Sequence, residues 1–65
     1  MEPKIEIFCD RDSKWRFRLV APNGEIIAAS EAYNSRQACD DGIVAVIKYA
    51  PIAKIEDKTS PQLKP

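Results

Sequence analysis

The chain contains no histidine and has only two glycines and two cysteines among its 65 residues. Histidine is the most frequent general base in enzymes, so its absence weakens the case for catalysis. The two glycines, Gly24 and Gly42, stand too far apart for a phosphate-binding loop. Cys9 and Cys39 form no local ligand pair of the kind that zinc sites use. The composition therefore favours a non-enzymatic protein with no cofactor and no metal.

An excess of charge of one sign and a long hydrophobic run are also missing. Ten Lys and Arg balance ten Asp and Glu, so the formal net charge is zero. A neutral chain argues against a general nucleic-acid or anionic-membrane role. A membrane-spanning helix needs about 18 consecutive apolar residues, and a signal peptide needs an apolar core near the N-terminus. Neither pattern is present, and we expect a cytoplasmic protein whose thiols are reduced.

The length allows one small domain, and 45% hydrophobic residues indicate a globular chain. Such a short chain buries only about 60% of the surface that its unfolded state exposes. Disulfides, a metal site or a partner chain usually compensate for this deficit. Because the first two have little support here, the size favours an oligomer.

Three segments of the first half alternate apolar and polar side chains, which predicts β-strands at residues 4–10, 15–21 and 25–29. The second of these has the clearest alternation, with Trp15, Phe17 and Leu19 on one face. Asn23-Gly24 stands between the second and third segments, and Asn-Gly is the strongest short signal for a hairpin. The sequence thus predicts an antiparallel meander.

Apolar residues then recur at three- and four-residue spacing, which predicts an amphipathic helix over residues 36–49. Either Asn34 or Ser35 can cap its N-terminus, and Pro51 should end it. A glycine within a helix costs about 1 kcal/mol relative to alanine. We therefore expect Gly42 where the helix lies closest to the sheet.

Alternation returns after the helix and predicts a short fourth strand at residues 53–56. This strand could pair within the chain or with a second copy, which would add buried area. Residues 58–65 contain two prolines and one large apolar residue, and we expect a disordered tail there. The predicted domain therefore covers residues 4–57.

The predicted core lies between the apolar faces of the strands and the helix. Its members are Ile5, Ile7, Trp15, Phe17, Leu19, Ile26 or Ile27, Ile43, Val46 and Ile47. Both cysteines are also interpreted as small core hydrophobes, and a redox pair is the open alternative. The candidates for a catalytic role would be Asp40, Tyr33 and Cys9, and we assign that role to none of them.

One face of the second strand is basic. Lys14, Arg16 and Arg18 fall on the side opposite the aromatic residues, and Phe8 of the first strand shares it. Arginine with an interleaved aromatic ring is the chemistry that a sheet uses to stack nucleic-acid bases. The acids Glu6 and Asp10 belong to the same side. They could form cross-strand pairs worth about 0.2–1 kcal/mol each. We favour the paired, solvated face, and nucleic-acid binding by the basic residues is the alternative.

Several segments together resemble the YegP-like family of small uncharacterised proteins. They read Trp-Arg-Phe-Arg-Leu at 15–19, Asn-Gly-Glu-Ile-Ile-Ala at 23–28, Ser-Glu-Ala-Tyr at 30–33 and Gly-Ile at 42–43. The resemblance covers residues 5–57. Ser13 and Ala32 stand where the family usually has glycine.

The resemblance implies an α+β fold, a β-β-β-α-β unit in which an antiparallel meander packs on one helix. It also implies a homodimer in which residues 53–56 are exchanged with the other subunit. No activity is established for the family, so it supplies no catalytic residues. The expected function is that of a homodimeric interaction module.

Overall fold

Three antiparallel strands and one helix build the domain in a computed structural model, which describes residues 1–59. The strands are β1 (Lys4–Cys9), β2 (Trp15–Val20) and β3 (Ile26–Ala29), and they pair in the order β1-β2-β3. The helix α1 (Arg36–Tyr49) follows, and a short 3₁₀ turn (Ala50–Ile52) comes after it. The predicted α+β class, meander and single helix are confirmed.

The hairpin between β2 and β3 forms around Asn23-Gly24, as its sequence predicts. Gly24 has a φ of 91°, a left-handed conformation that glycine adopts without a side-chain clash. Its N–H donates to the carbonyl of Ala21 at 2.9 Å. The side-chain oxygen of Asn23 accepts the N–H of Glu25 at 3.0 Å. These bonds satisfy the backbone of the turn and set the direction of β3.

Ser35 caps the N-terminus of α1, because its hydroxyl oxygen accepts the N–H of Ala38 at 3.1 Å. Gly42 is required by a close approach, as predicted. A Cβ on Gly42 would lie 2.8 Å from Cζ of Tyr33 and 3.2 Å from the ring of Phe17. The helix therefore contacts β2 most closely at its middle, where only glycine leaves enough space.

The core of the single chain is smaller than predicted. Of the described residues, the buried hydrophobic ones are Phe17, Val20 and Cys39. Five predicted core residues are half-buried, namely Ile5, Ile7, Trp15, Leu19 and Ile43. The prediction is wrong for Ile26, Ile27, Val46 and Ile47, which are exposed. The cause is that β2 is the one strand of the sheet whose backbone α1 approaches closely, so β3 and the second half of α1 stay uncovered.

The two cysteines differ. Cys39 is fully buried in α1, which confirms its interpretation as a core residue. Cys9 is exposed, so the same interpretation is wrong for it. It is the last residue of β1 and lies at the end of the sheet.

The predicted fourth strand finds no partner within the chain. After the 3₁₀ turn, Ala53 is extended, with φ −73° and ψ 139°, but residues 53–58 belong to no strand. Pairing inside one chain is therefore wrong, because the segment reaches neither β1 nor β3, the two edge strands. The predicted tail, 58–65, lies mostly outside the described residues.

None of the helices within residues 1–59 has the length and apolar character needed to span a bilayer. The cytoplasmic location stays a prediction.

Candidate functional site

The residues that sequence reasoning selected as a binding face lie on one side of the β1–β2 hairpin. Arg18 stands opposite Glu6 in the strand register, and Arg16 stands opposite Phe8. Lys14 precedes β2 in the turn. The structure therefore brings the two arginines and Phe8 together, and it places acidic side chains among them.

Arg18 has two partners across the strands. Its Nε donates to Oε1 of Glu6 at 2.7 Å, and its guanidinium carbon lies 4.7 Å from the centre of the Phe8 ring. Lys4 Nζ lies 3.3 Å from the other oxygen of Glu6. The hydrogen bond from Arg18, followed by the one from Lys4, lowers the pKa of Glu6. Glu6 is therefore ionised at neutral pH, and the guanidinium of Arg18 already has a carboxylate and an aromatic ring as partners.

Asp10 organises the turn that follows β1 and also holds Arg16. Arg16 Nε donates to Oδ2 of Asp10 at 2.6 Å, and the N–H groups of Asp12 and Lys14 donate to Oδ1 at 2.9 and 3.0 Å. The bond from Arg16 is the main cause that lowers the pKa of Asp10, and the backbone bonds add to it. One carboxylate thus links the turn to β2.

All three basic residues of the predicted face have side-chain partners, because Lys14 Nζ donates to Oδ1 of Asn34 at 2.6 Å. A phosphate group would have to compete with two carboxylates for Arg16 and Arg18. The contacts agree with the interpretation of cross-strand pairs. Nucleic-acid binding by this face stays a prediction.

The opposite side of the sheet holds a groove, where sequence reasoning favoured a closed core over a pocket lined by Trp15, Phe17 and Leu19. Ile5, Leu19 and Ala28 stand side by side across the three strands and form its floor. Val46 and Ile47 of α1 contribute to one wall, and the groove has a volume of about 590 Å³. Except for Ala28, these residues belong to the predicted core. The signal that could have revealed the groove is Ala28, the small side chain that β3 places beside Leu19 on this face of the sheet.

Apart from Met1, the exposed large hydrophobic side chains of residues 1–59 lie in two stretches, β3 and residues 44–55. They are Ile26, Ile27, Val44, Val46, Ile47, Tyr49, Ile52 and Ile55. Ile52 is 79% exposed and Ile55 is 96% exposed. Contiguous apolar patches of more than a few hundred Å² are rare on monomeric soluble proteins and usually mark an interaction site.

Two of the three candidate catalytic side chains, Tyr33 and Asp40, make other contacts. Tyr33 stacks on Phe17 with ring centres 6.2 Å apart. Asp40 accepts a hydrogen bond from Nε of Arg36 at 2.9 Å. Cys9 lies exposed at the end of β1. The described part of the chain contains no cluster of three or more acidic or cysteine side chains that could hold a metal ion.

Comparison with known proteins gives one family. A family model with the description "Domain of unknown function (DUF1508)" matches residues 10–57. A UPF0339 protein of Treponema denticola is 51% identical over 55 residues, which cover 85% of this chain and 95% of the relative. A UPF0339 protein of Methanosarcina acetivorans is 48% identical, with 80% and 90% covered. The resemblance noted in the sequence is confirmed.

Longer relatives also match. The UPF0339 protein in the ptx operon 5′ region of Stutzerimonas stutzeri is 43% identical over 92% of this chain, which covers 55% of the relative. The chain thus spans nearly all of some relatives and about half of others. A protein from Haloferax volcanii, solved by NMR in solution, has a TM-score of 0.80 and 38% identity, with 86% of this chain and 95% of that chain covered. This similarity supports the fold.

Proposed function

Since the chain belongs to the DUF1508 family, whose function is unknown, we propose that it is a small non-enzymatic interaction module that acts as a homodimer. The observation that carries the proposal is the apolar surface left open on β3, on the second half of α1 and on residues 52–55. An isolated domain of this size has little buried area to spare. A second copy that covers these surfaces would supply the missing core.

The segment after the helix has the properties of a strand that pairs with another molecule. In an extended chain, alternate side chains share a face, so Ala53 and Ile55 form an apolar side and Lys54 and Glu56 a charged side. The segment 53–56 has four residues, the same number as β3. We place it against the free edge of β3 in the second copy, with Ile55 over the groove.

Two observations support this arrangement. The groove opens beside Ala28 and Ala29 of β3, so a strand added at that edge would extend the apolar floor. The relatives of which this chain spans about half have room for a second unit of the same size in one polypeptide. Two units in one chain could cover the same apolar surface as two copies of this chain.

Light scattering after size exclusion tests the proposal. At micromolar concentration we expect twice the chain mass of 7.3 kDa. Ile55→Ser should shift the population toward monomer, because it removes the apolar side chain that enters the groove. Lys54→Ser is the matched control on the charged side and should leave the dimer intact. A folded protein that stays at the monomer mass across the concentration range would refute the proposal.

A further inference from the structure

The free edge of β3 presents different residues on the two sides of the sheet. Ala28 stands opposite Leu19, on the groove side. Ala29 stands opposite Arg18, on the other side, which we call the outer side. A strand added at this edge therefore reaches the groove through the residue beside Ala28 and the basic side chains of β2 through the residue beside Ala29.

The direction of the added strand decides which charge lies beside Ala29. This step rests on the proposed homodimer, in which Ile55 of the second copy lies over the groove, beside Ala28. In a parallel strand Glu56 then lies beside Ala29, and in an antiparallel strand Lys54 takes that place. Both side chains point to the outer side, because they are the neighbours of Ile55 in an extended chain.

The outer side is positively charged close to this edge. Arg16 Nη1 donates to the carbonyl oxygen of Ser30 at 3.3 Å, so its guanidinium extends toward β3. The Nε atoms of Arg16 and Arg18 each donate to one carboxylate, yet both side chains are 37% exposed. A guanidinium has five N–H donors, so each can bind a second carboxylate. The next strand would lie about 4.8 Å beyond β3, a distance that a glutamate side chain can span.

Glu56 can leave its present contact at little cost. Its Oε1 lies 3.1 Å from Nζ of Lys58, and the two side chains are 70% and 82% exposed. Exposed ion pairs of this kind contribute little to stability. In the parallel alignment Lys58 comes beside Glu31, at the groove, so it gains an acidic partner as well. The antiparallel alignment would bring Ile52 to Glu31 instead.

We propose that residues 53–56 of the second copy run parallel to β3, with Glu56 as the anion that Arg16 binds across the interface. Opposite charges on neighbouring strands stabilise their pairing and like charges oppose it, which disfavours Lys54 beside Ala29. A parallel ladder is slightly less stable per residue than an antiparallel one, and this ladder is only four residues long. The charges of Lys54 and Glu56 therefore set the direction of the strand.

Cross-linking between copies measures the direction while Glu56 stays in place. In the background Cys9→Ser, which removes the exposed thiol, Lys54→Cys is combined with either Ile27→Cys or Ala29→Cys. A parallel strand places position 54 beside position 27, within the Cα distance that a disulfide needs, and an antiparallel strand places it beside position 29. We expect the combination with Ile27→Cys to form covalent dimers faster under mild oxidation. Intact mass without reductant is the readout, and circular dichroism confirms that both variants fold.

Charge variants test the role of Glu56. Glu56→Gln should raise the dissociation constant of the dimer about two- to fivefold, because it removes the anion at Arg16. The difference from the wild type should shrink at high salt, since the pair is exposed. Lys54→Gln is the matched control and should not weaken the dimer. A stronger dimer in Lys54→Gln together with no change in Glu56→Gln would overturn the parallel direction.

The outcomes separate this inference from the homodimer itself. If light scattering shows a dimer and Lys54→Cys joins Ala29→Cys faster, the direction is wrong and the homodimer stands. A dimer that forms neither cross-link has its contact away from β3, which overturns the inference as well. A folded chain that stays monomeric refutes the homodimer and with it the added strand.

Discussion

At the scale of single residues, Ser13 holds an unusual backbone conformation. Its φ is 61°, and no other non-glycine residue among residues 1–59 has a positive φ. Its N–H donates to the carbonyl of Asp10 at 3.0 Å, so the turn between β1 and β2 needs this geometry. The left-handed region costs a side-chain-bearing residue about 1–2 kcal/mol. A glycine at this position would avoid that cost.

Ser13→Gly should therefore stabilise the domain. Relief of the backbone strain is partly offset by the larger freedom of glycine in the unfolded chain, and a net gain of up to about 1 kcal/mol is expected. The midpoint of urea unfolding measures it. Asp12→Gly is the matched control, since Asp12 has no positive φ, and it should destabilise. Equal shifts in both variants would contradict the strain at Ser13.

At Gly42, in α1, we expect that replacing the glycine destabilises the domain. Gly42→Ala adds helix propensity worth about 1 kcal/mol. Its Cβ, however, would meet the side chains of Tyr33 and Phe17 at distances too short for packing. Overpacking of this kind costs about 1–3 kcal/mol, so we expect a net loss of stability.

A second substitution shows whether Tyr33 is the obstacle. In the background Tyr33→Ala, the change Gly42→Ala should be neutral or stabilising, because the nearest atoms are gone. Urea unfolding of the four variants forms a double-mutant cycle. The same loss in both backgrounds would show that contact with Tyr33 is not the reason for the glycine.

At the scale of elements, the charged pairs of the β1–β2 hairpin predict a dependence of stability on pH. Arg18 lowers the pKa of Glu6, and Arg16 lowers that of Asp10. A carboxyl group with a lowered folded pKa binds fewer protons when folded than when unfolded. Its stabilisation is complete above the unfolded pKa, at about pH 4, and is lost as the pH falls through the folded pKa.

Urea unfolding between pH 7 and pH 2 should show this loss at the acid end. The double variant Glu6→Gln and Asp10→Asn should lose less stability at the acid end, because the amides do not titrate. Added salt should weaken the effect, since the pairs are partly exposed. If the double variant loses as much stability in acid as the wild type, other carboxyl groups cause the pH dependence.

The elements also show how far local sequence determines this fold. The bounds of α1 follow from the cap at Ser35 and from Pro51, and alternation predicts each strand to within one residue at its ends, because each signal lies within a few residues. The pairing of Arg18 with Glu6 was foreseeable because alternation set their side and the hairpin set their register. Exposure of Ile26 and Ile47 was not, since it depends on which strand the helix approaches. The partner of residues 53–56 was left open for the same reason.

At the scale of the whole molecule, the uncovered surface determines the expected unfolding behaviour. If two copies share a sheet, unfolding separates them, and mass action makes the melting temperature rise with protein concentration. The reduced chain should show this rise between about 1 μM and about 1 mM. Ile55→Ser should show a smaller rise, because less apolar surface is buried between the copies.

Joining two copies with a flexible Gly/Ser linker gives the sharpest form of this prediction. The second unit is then present at an effective concentration in the millimolar range, whatever the total concentration. The fused chain should scatter as a single polypeptide of two units, and its melting temperature should not change on dilution. Its melting temperature should equal that of the unfused protein at a concentration of about 1 mM. A melting temperature of the unfused chain that is independent of concentration would show that the exposed isoleucines are not covered by a second copy.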